Sequence, residues 1–266
     1  MAYHLHQDRR LYYMECGDGI PALLLHGICN SGRAWLPQLP ALNAAGYRAI
    51  LPDLAGHGAS SALSRPHGAC ELAADCLALL DHLRIAAVHV VGLSLGGMAA
   101  QQLALAAPER VCSLTVANSF CSTAGSEAQA LLDDWQQTLR GEDGPLRRLE
   151  ASWPRNVNAA FRASDAGRQL YLQWHAQAAQ ADGPSQAWVC EGLRGFDISG
   201  RLSAIRAPSL YLSAECDAVS PPELGRWMAG QVPGARHISL AGAAHVANID
   251  SADAFNAALL AFLQTH

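Results

Sequence analysis

The run Val88-His89-Val90-Val91-Gly92-Leu93-Ser94-Leu95-Gly96-Gly97-Met98 constrains this chain more than any other stretch. Its opening residues are mostly β-branched and too few for a helix, whereas the Ala-rich segment from Leu95 to Ala107 reads as one. Strand therefore gives way to helix at Ser94. Gly92 and Gly96 flank the serine without a Cβ, so the two elements can pack closely across a sharp turn. Ser94 is left in a strained backbone geometry with its hydroxyl exposed. The helix N-terminus offers free N–H groups and positive dipole where an oxyanion would form. Such a junction is a nucleophile elbow. A Gly-x-Ser-x-Gly match also fits a serine that merely caps a helix. A histidine, an acid and a second oxyanion donor must therefore be sought elsewhere.

The pattern around this junction predicts the architecture. Residues 2 to 16 read as one or two short antiparallel strands followed by the turn Gly17-Asp18-Gly19. Further strands are predicted from Pro21 into His26-Gly27, at Tyr47 to Leu51 before the loop Pro52-Asp53-Leu54-Ala55-Gly56-His57-Gly58, and at Val111 to Asn118. Helices are predicted between them at Trp35 to Ala45 and over residues 69 to 84. This alternation argues for an α/β protein with a mainly parallel central sheet flanked by helices on both faces. From Cys121 to Ser199 the sequence turns helical, with four of the six tryptophans and no convincing strand. Strands then return at Pro208 to Ser213 and Arg236 to Leu240, with helices at Pro222 to Ala229 and Ala252 to Gln264. The expected organisation is a core of residues 1–120 and 200–266 carrying a helical cap, 121–199.

Composition narrows the chemistry. Half of the 266 residues are hydrophobic, enough for a substantial core. A net charge of −5 without a basic run gives no electrostatic reason to expect nucleic acid. All 18 basic residues are arginine, which excludes Schiff-base lysines, a lysine-anchored pyridoxal cofactor and the P-loop lysine. The eight cysteines are scattered without a Cys-x-x-Cys pair, so spacing indicates neither a zinc site nor a redox motif. The opening residues lack the apolar core of a signal peptide, and no stretch reaches the roughly 18 apolar residues of a membrane span. A cytoplasmic protein with reduced thiols is expected.

The missing partners stand after the last two predicted strands. Asp217 lies in Ser213-Ala-Glu-Cys-Asp-Ala-Val-Ser-Pro221, and His245 lies in Ala241-Gly-Ala-Ala-His-Val-Ala-Asn248. Both loops leave strand C-terminal ends, the edge where open parallel sheets bind ligands, so Ser94, Asp217 and His245 can converge. The chain order nucleophile, acid, histidine is that of α/β-hydrolases.

With these residues in place, the chain resembles the α/β-hydrolases of the esterase, lactonase and C–C hydrolase group. The resemblance spans nearly the whole length, from His26-Gly27 through Pro52 to Gly58, the elbow and Asp217 to His245. The wording Gly-Leu-Ser-Leu-Gly-Gly-Met and His-Val-Ala-Asn-Ile-Asp is most similar to 3-oxoadipate enol-lactonase-like and carboxylesterase-like members. The cap resembles theirs only in position. The resemblance implies the α/β-hydrolase fold and a serine hydrolase that cleaves a small carboxylic ester or lactone through an acyl-enzyme. Ser94 would be the nucleophile and His245 its general base, with Asp217 fixing the tautomer and stabilising the imidazolium. The backbone N–H groups of Ile28 and Leu95 would hold the oxyanion. No metal or organic cofactor is required. C–C hydrolysis of a meta-cleavage-type product, hydrolysis of an acyl-carrier methyl ester and perhydrolysis would use the same machinery. A cofactor-free oxygenase with His245 as base and a low-turnover ligand receptor belong to other classes. The expected partner is the small-molecule substrate, with neither nucleic acid nor a membrane. Caps and sheet edges can both pair, so a homodimer stays open.

Other residues read as structural. Glu215 fits the family's acid position less well than Asp217, and Asn118, where some relatives place the acid, carries no carboxylate. His26 is expected to order the oxyanion loop, and Asp53 and His57 to satisfy backbone groups in a tight turn. Cys29 and Cys121 read as apolar thiols near the pocket, and the cap tryptophans as packing. Arg140, Arg147, Arg148, Arg155 and Arg162 read in the main as a solvated face, of which one could meet a substrate carboxylate.

Overall fold

The computed structural model describes residues 2–266. Eight strands form one sheet: β1 (Ala2–His6), β2 (Arg9–Cys16), β3 (Ile20–Leu25), β4 (Tyr47–Pro52), β5 (Val88–Leu93), β6 (Val111–Ala117), β7 (Ser209–Ala214) and β8 (Arg236–Leu240), in spatial order β1-β2-β4-β3-β5-β6-β7-β8. β1 pairs antiparallel with β2, and β2 with β4; from β4 to β8 every pairing is parallel. The central strands are buried on both faces, which is why they read as continuous apolar runs. Leu23 and Leu25 of β3 join one core cluster, whereas Ala22 and Leu24, at the alternate positions, join the other.

Helices cover both faces. α1 (Leu39–Ala44) follows β3, α2 (Ala69–His82) follows β4 and α3 (Leu95–Ala106) follows β5. The predicted helix at Trp35 to Ala45 is instead a 3₁₀ turn, Gly32–Gln38, running into the short α1. Pro37 inside the first and Pro40 at the start of the second supply no N–H to a continuous α ladder. Between β6 and β7 the chain passes through α4 (Ser126–Arg140), α5 (Gly144–Asn156), α6 (Ala159–Ala163), α7 (Asp165–Ala178) and α8 (Gly183–Gly192). Then come α9 (Pro222–Gln231), the single turn α10 (Ala247–Asp250), not predicted, and α11 (Ala252–Leu263). Among the described residues no helix is long and apolar enough to cross a membrane.

Adjacent strands β3 and β5 have connections leading to opposite sides of the sheet. This is the switch point at which open α/β sheets place a crevice, and the loops carrying Gly27 and Ser94 open there.

Candidate active site

Ser94 sits between β5 and α3 with φ 53° and ψ −116°, a conformation that costs a non-glycine residue energy and persists only where the surroundings enforce it. The flanking glycines enforce it. A Cβ on Gly92 would lie 2.2 Å from the Gly96 carbonyl oxygen, and one on Gly96 would lie 2.1 Å from that of Leu25. Strand and helix can therefore approach this closely only without side chains. The Ser94 N–H extends the sheet by donating to Ala117 O at 3.0 Å, and Ser119 Oγ donates to the Ser94 carbonyl at 2.6 Å.

The structure brings Ser94, Asp217 and His245 together. Nε2 of His245 lies 3.1 Å from Ser94 Oγ, and its Nδ1 lies 2.9 Å from Asp217 Oδ2. With the Nδ1–H directed at the carboxylate, Nε2 is the nitrogen free to accept the serine proton. Asp217 is held in turn. Its Oδ1 accepts the backbone N–H of Val219 at 2.7 Å and of Ser220 at 2.9 Å, and its Oδ2 accepts Ser220 Oγ–H at 2.7 Å. Burial alone would push this carboxyl up, but the neighbouring His245 and the hydrogen bonds from His245 and Ser220 outweigh it and hold it below the ordinary carboxylate range. Glu215 points elsewhere and accepts the Gly242 N–H at 2.9 Å.

Leu95 is the first residue of α3, where an N–H has no intrahelical acceptor, and its side chain is buried in the core. Ile28 lines the cavity above Ser94 and follows Gly27, whose missing Cβ would stand 3.5 Å from Ser94 Cβ. His26 fixes this loop: its Nδ1 lies 2.8 Å from Gly27 O, and its Nε2 accepts the Leu54 N–H at 3.0 Å. Asp53 accepts the N–H groups of Gly32 and Ala59, both at 2.8 Å, and His57 Nδ1 lies 3.1 Å from Ala55 O. These three residues shape the loops under the cavity and are not hydrogen-bonded to Ser94 or His245. Burial drives His26 down to about 4 and His57, which also faces His26, down to about 3, so both are neutral imidazoles near pH 7.

Two residues whose positioning part is not legible in the sequence hold the histidine loop. Asn118, at φ 44° after β6, donates through Nδ2 to the carbonyls of Ala244 at 3.1 Å and His245 at 2.8 Å. Asp250 Oδ2 accepts the N–H of Ala244 at 2.9 Å and that of Asn158 at 2.8 Å, while Val246 N–H donates to Asn156 O at 2.9 Å. The segment leaving α5 is thus tied to both sides of His245. Ser220, three residues after Asp217, has a readable signal, because a hydroxyl at that spacing commonly closes a turn on an Asp side chain.

Above Ser94 lies a cavity of about 360 Å³ between the sheet edge and the inserted helices. Along α5, Arg148, Ser152 and Asn156 recur every four residues and so present one helix face to it, with Leu149 beside them. Trp135 and Trp174 also line it, so two of the four tryptophans in the inserted helices are not solely packing. Arg140, Arg147 and Arg155 are exposed as expected of a solvated face, but Arg148 is buried. Its place one residue before Leu149 turns it inward with the apolar edge of α5.

A model of the alpha/beta hydrolase fold family matches residues 21–252. Over 266 aligned residues the chain is 32% identical to a protein that carries the name carbamate hydrolase RutD, from Azorhizobium caulinodans, with 98% of each chain covered. It is 29% identical over 264 residues to 3-oxoadipate enol-lactonase 2 of Acinetobacter baylyi, covering 97% of this chain and 94% of that one. Among solved structures, the enol-lactonase from Burkholderia xenovorans LB400 is similar with a TM-score of 0.92 at 26% identity, over 99% of this chain and 100% of the other. With the family model spanning most of its length and a relative above 30% identity from end to end, the chain belongs to the alpha/beta hydrolase family.

Proposed function

We propose that this protein is a serine hydrolase that cleaves a compact carboxylic ester or lactone through an acyl-enzyme. The observation that carries the proposal is the continuous hydrogen-bonded relay from Ser94 Oγ through His245 to Asp217 at the floor of a cavity. Ser94 Oγ bonds to the substrate carbonyl carbon while His245 Nε2 takes its proton, and Asp217 stabilises the imidazolium that results. The tetrahedral oxyanion is held by the N–H groups of Leu95 and Ile28. His245 then protonates the leaving oxygen as its bond to carbon breaks. Water, deprotonated by His245, attacks the acyl-enzyme and returns Ser94. The lactonase names of two relatives lend support to an ester or lactone carbonyl as the target.

The test is covalent. A fluorophosphonate should modify Ser94 alone, located by peptide mass spectrometry, with loss of ester hydrolysis in proportion to labelling. Loss of activity with the label elsewhere, or turnover undiminished at full labelling, would remove Ser94 from the chemistry. A cavity of about 360 Å³ is at the small end of ligand pockets, so hydrolysis of p-nitrophenyl esters should favour short acyl chains and fall as the chain lengthens.

Asn118 supplies a second expectation. Asn118→Ala removes the two hydrogen bonds to the His245 loop and puts alanine at φ 44°, costing about 1–3 kcal/mol of stability. Because Asn118 holds His245 and is not among the residues lining the cavity, kcat should fall while KM changes little. Urea unfolding and steady-state kinetics on the same preparation read both effects, and a change confined to KM would contradict the positioning role.

A further inference from the structure

Arg148 is a buried cation that forms no ion pair among the described residues. It is only 9% exposed, and among the described residues its guanidinium makes no hydrogen bond or ion pair; Nε is enclosed without any acceptor. Its Cζ lies 4.0 Å from the Trp135 ring centroid, a stacking contact that orients the group without neutralising it. A guanidinium does not shed its proton in a protein, so the cost of burying it cannot be relieved by titration. What relieves such a cost is a carboxylate or phosphate that meets its planar fork with two parallel hydrogen bonds.

The cavity as a whole points the same way. Although the chain carries a net charge of −5, the cations lining this cavity, Arg148 and Arg33, face only one acid, Asp53. Both oxygens of Asp53 are already occupied by the N–H groups of Gly32 and Ala59. A second buried polar group lines the same cavity. Gln186, 2% exposed, has an amide oxygen with no partner, and Trp35 Nε1 is likewise unpaired. Buried polar groups without partners are uncommon in folded proteins, and three of them here belong to residues that line one cavity, which suits a ligand with polar groups of its own.

We infer that Arg148 is the anion subsite of this cavity and that the substrate is an ester or lactone bearing a carboxylate, which docks on the guanidinium against Trp135 while Gln186 meets a hydrogen-bonding group. The inference rests on the Ser94-centred reading, since it names the substrate class for the same cavity. A neutral substrate would dehydrate the guanidinium further and return nothing; an anionic one gains charge-assisted hydrogen bonds in a site shielded from water.

The experiment compares mono-p-nitrophenyl glutarate with neutral p-nitrophenyl valerate. Wild type should favour the anionic ester by at least about tenfold in kcat/KM, and Arg148→Met should lower that ratio by about tenfold to a hundredfold, with Arg148→Lys between them. A ratio unmoved by Arg148→Met, or a wild type that prefers the neutral ester, overturns the anion subsite. Binding gives a readout independent of turnover. Glutarate should bind Ser94→Ala by calorimetry and should fail to bind Ser94→Ala/Arg148→Met; equal binding to the two overturns the inference. Stability guards against a structural explanation. Removing an unpaired buried charge should leave the ligand-free Tm of Arg148→Met at or above that of wild type, whereas a Tm several degrees lower would assign Arg148 to the fold and overturn the subsite. Failure of the underlying reading looks different: Ser94→Ala would hydrolyse esters as fast as wild type, whatever Arg148 does.

Discussion

Replacing Ser94 by alanine is expected to lower kcat by at least about a thousandfold on every ester the wild type cleaves. The substitution deletes the one atom that both faces His245 Nε2, at 3.1 Å, and lies at the foot of the cavity. It should do so without unfolding the protein, because Oγ makes no hydrogen bond other than that to His245 among the described residues, and the turn is held by backbone contacts and by Ser119. What survives is catalysis by oxyanion donors and substrate positioning alone. Residues that act as one unit are not additive, so Ser94→Ala/His245→Ala should be scarcely slower than Ser94→Ala. Kinetics normalised to fluorophosphonate-titrated wild-type sites measure the loss. Retention of most activity by Ser94→Ala would leave His245 acting as a base without a nucleophilic serine, as in a cofactor-free oxygenase, and oxygen consumption would then identify that chemistry.

Acid should destabilise this fold well before its carboxylates titrate. His26 and His57 stay neutral in the folded chain down to about pH 4 and about pH 3, because burial outweighs the backbone carbonyls they meet. In the unfolded chain both titrate near 6.5. Their folded values are lowered, so between those limits the unfolded state binds protons that the folded state refuses. Stability is therefore full above about pH 6.5 and falls as the pH drops toward 4, each histidine costing about 1.4 kcal/mol per pH unit and about 3 kcal/mol by pH 4. Against a total of about 5–15 kcal/mol that loss can approach the whole. Asp217 adds to it only below its unfolded value of 3.8, since its folded value is depressed and its contribution disappears as the carboxylate protonates. Urea unfolding at half-unit steps from pH 7.5 to 4.5 should show the slope, and His57→Gln should make it shallower. A free energy that stays flat between pH 6.5 and 5 would mean that neither imidazole is held neutral.

The core was legible in the sequence because its signals are local. The elbow glycines bar a Cβ, the apolar runs are too short for helices, and the turns carrying Asp217 and His245 follow strands whose ends must lie at one edge. The inserted helices hid their purpose for the opposite reason. Arg148 stands next to Arg147 in a segment rich in arginine, and nothing local distinguishes the side chain that turns inward from the one that stays in water. Only the packing of α5 over the sheet makes that distinction. Asn118 was visible as the absence of an acid, not as a donor to two carbonyls 126 and 127 residues away. The turn α10 escaped because four residues carry too little periodicity to register.

The carboxylate of Asp250, shared between Asn158 and Ala244, bears on how this scaffold can be re-engineered. A graft that exchanged the inserted helices for those of another hydrolase, in order to import a new specificity, would cut one of its two tethers and leave the loop of His245 held from one side. Such a chimera could bind its new substrate and still be slow. The transferable module is therefore the inserted helices together with Asp250, so that the cavity wall and the alignment of His245 are inherited together.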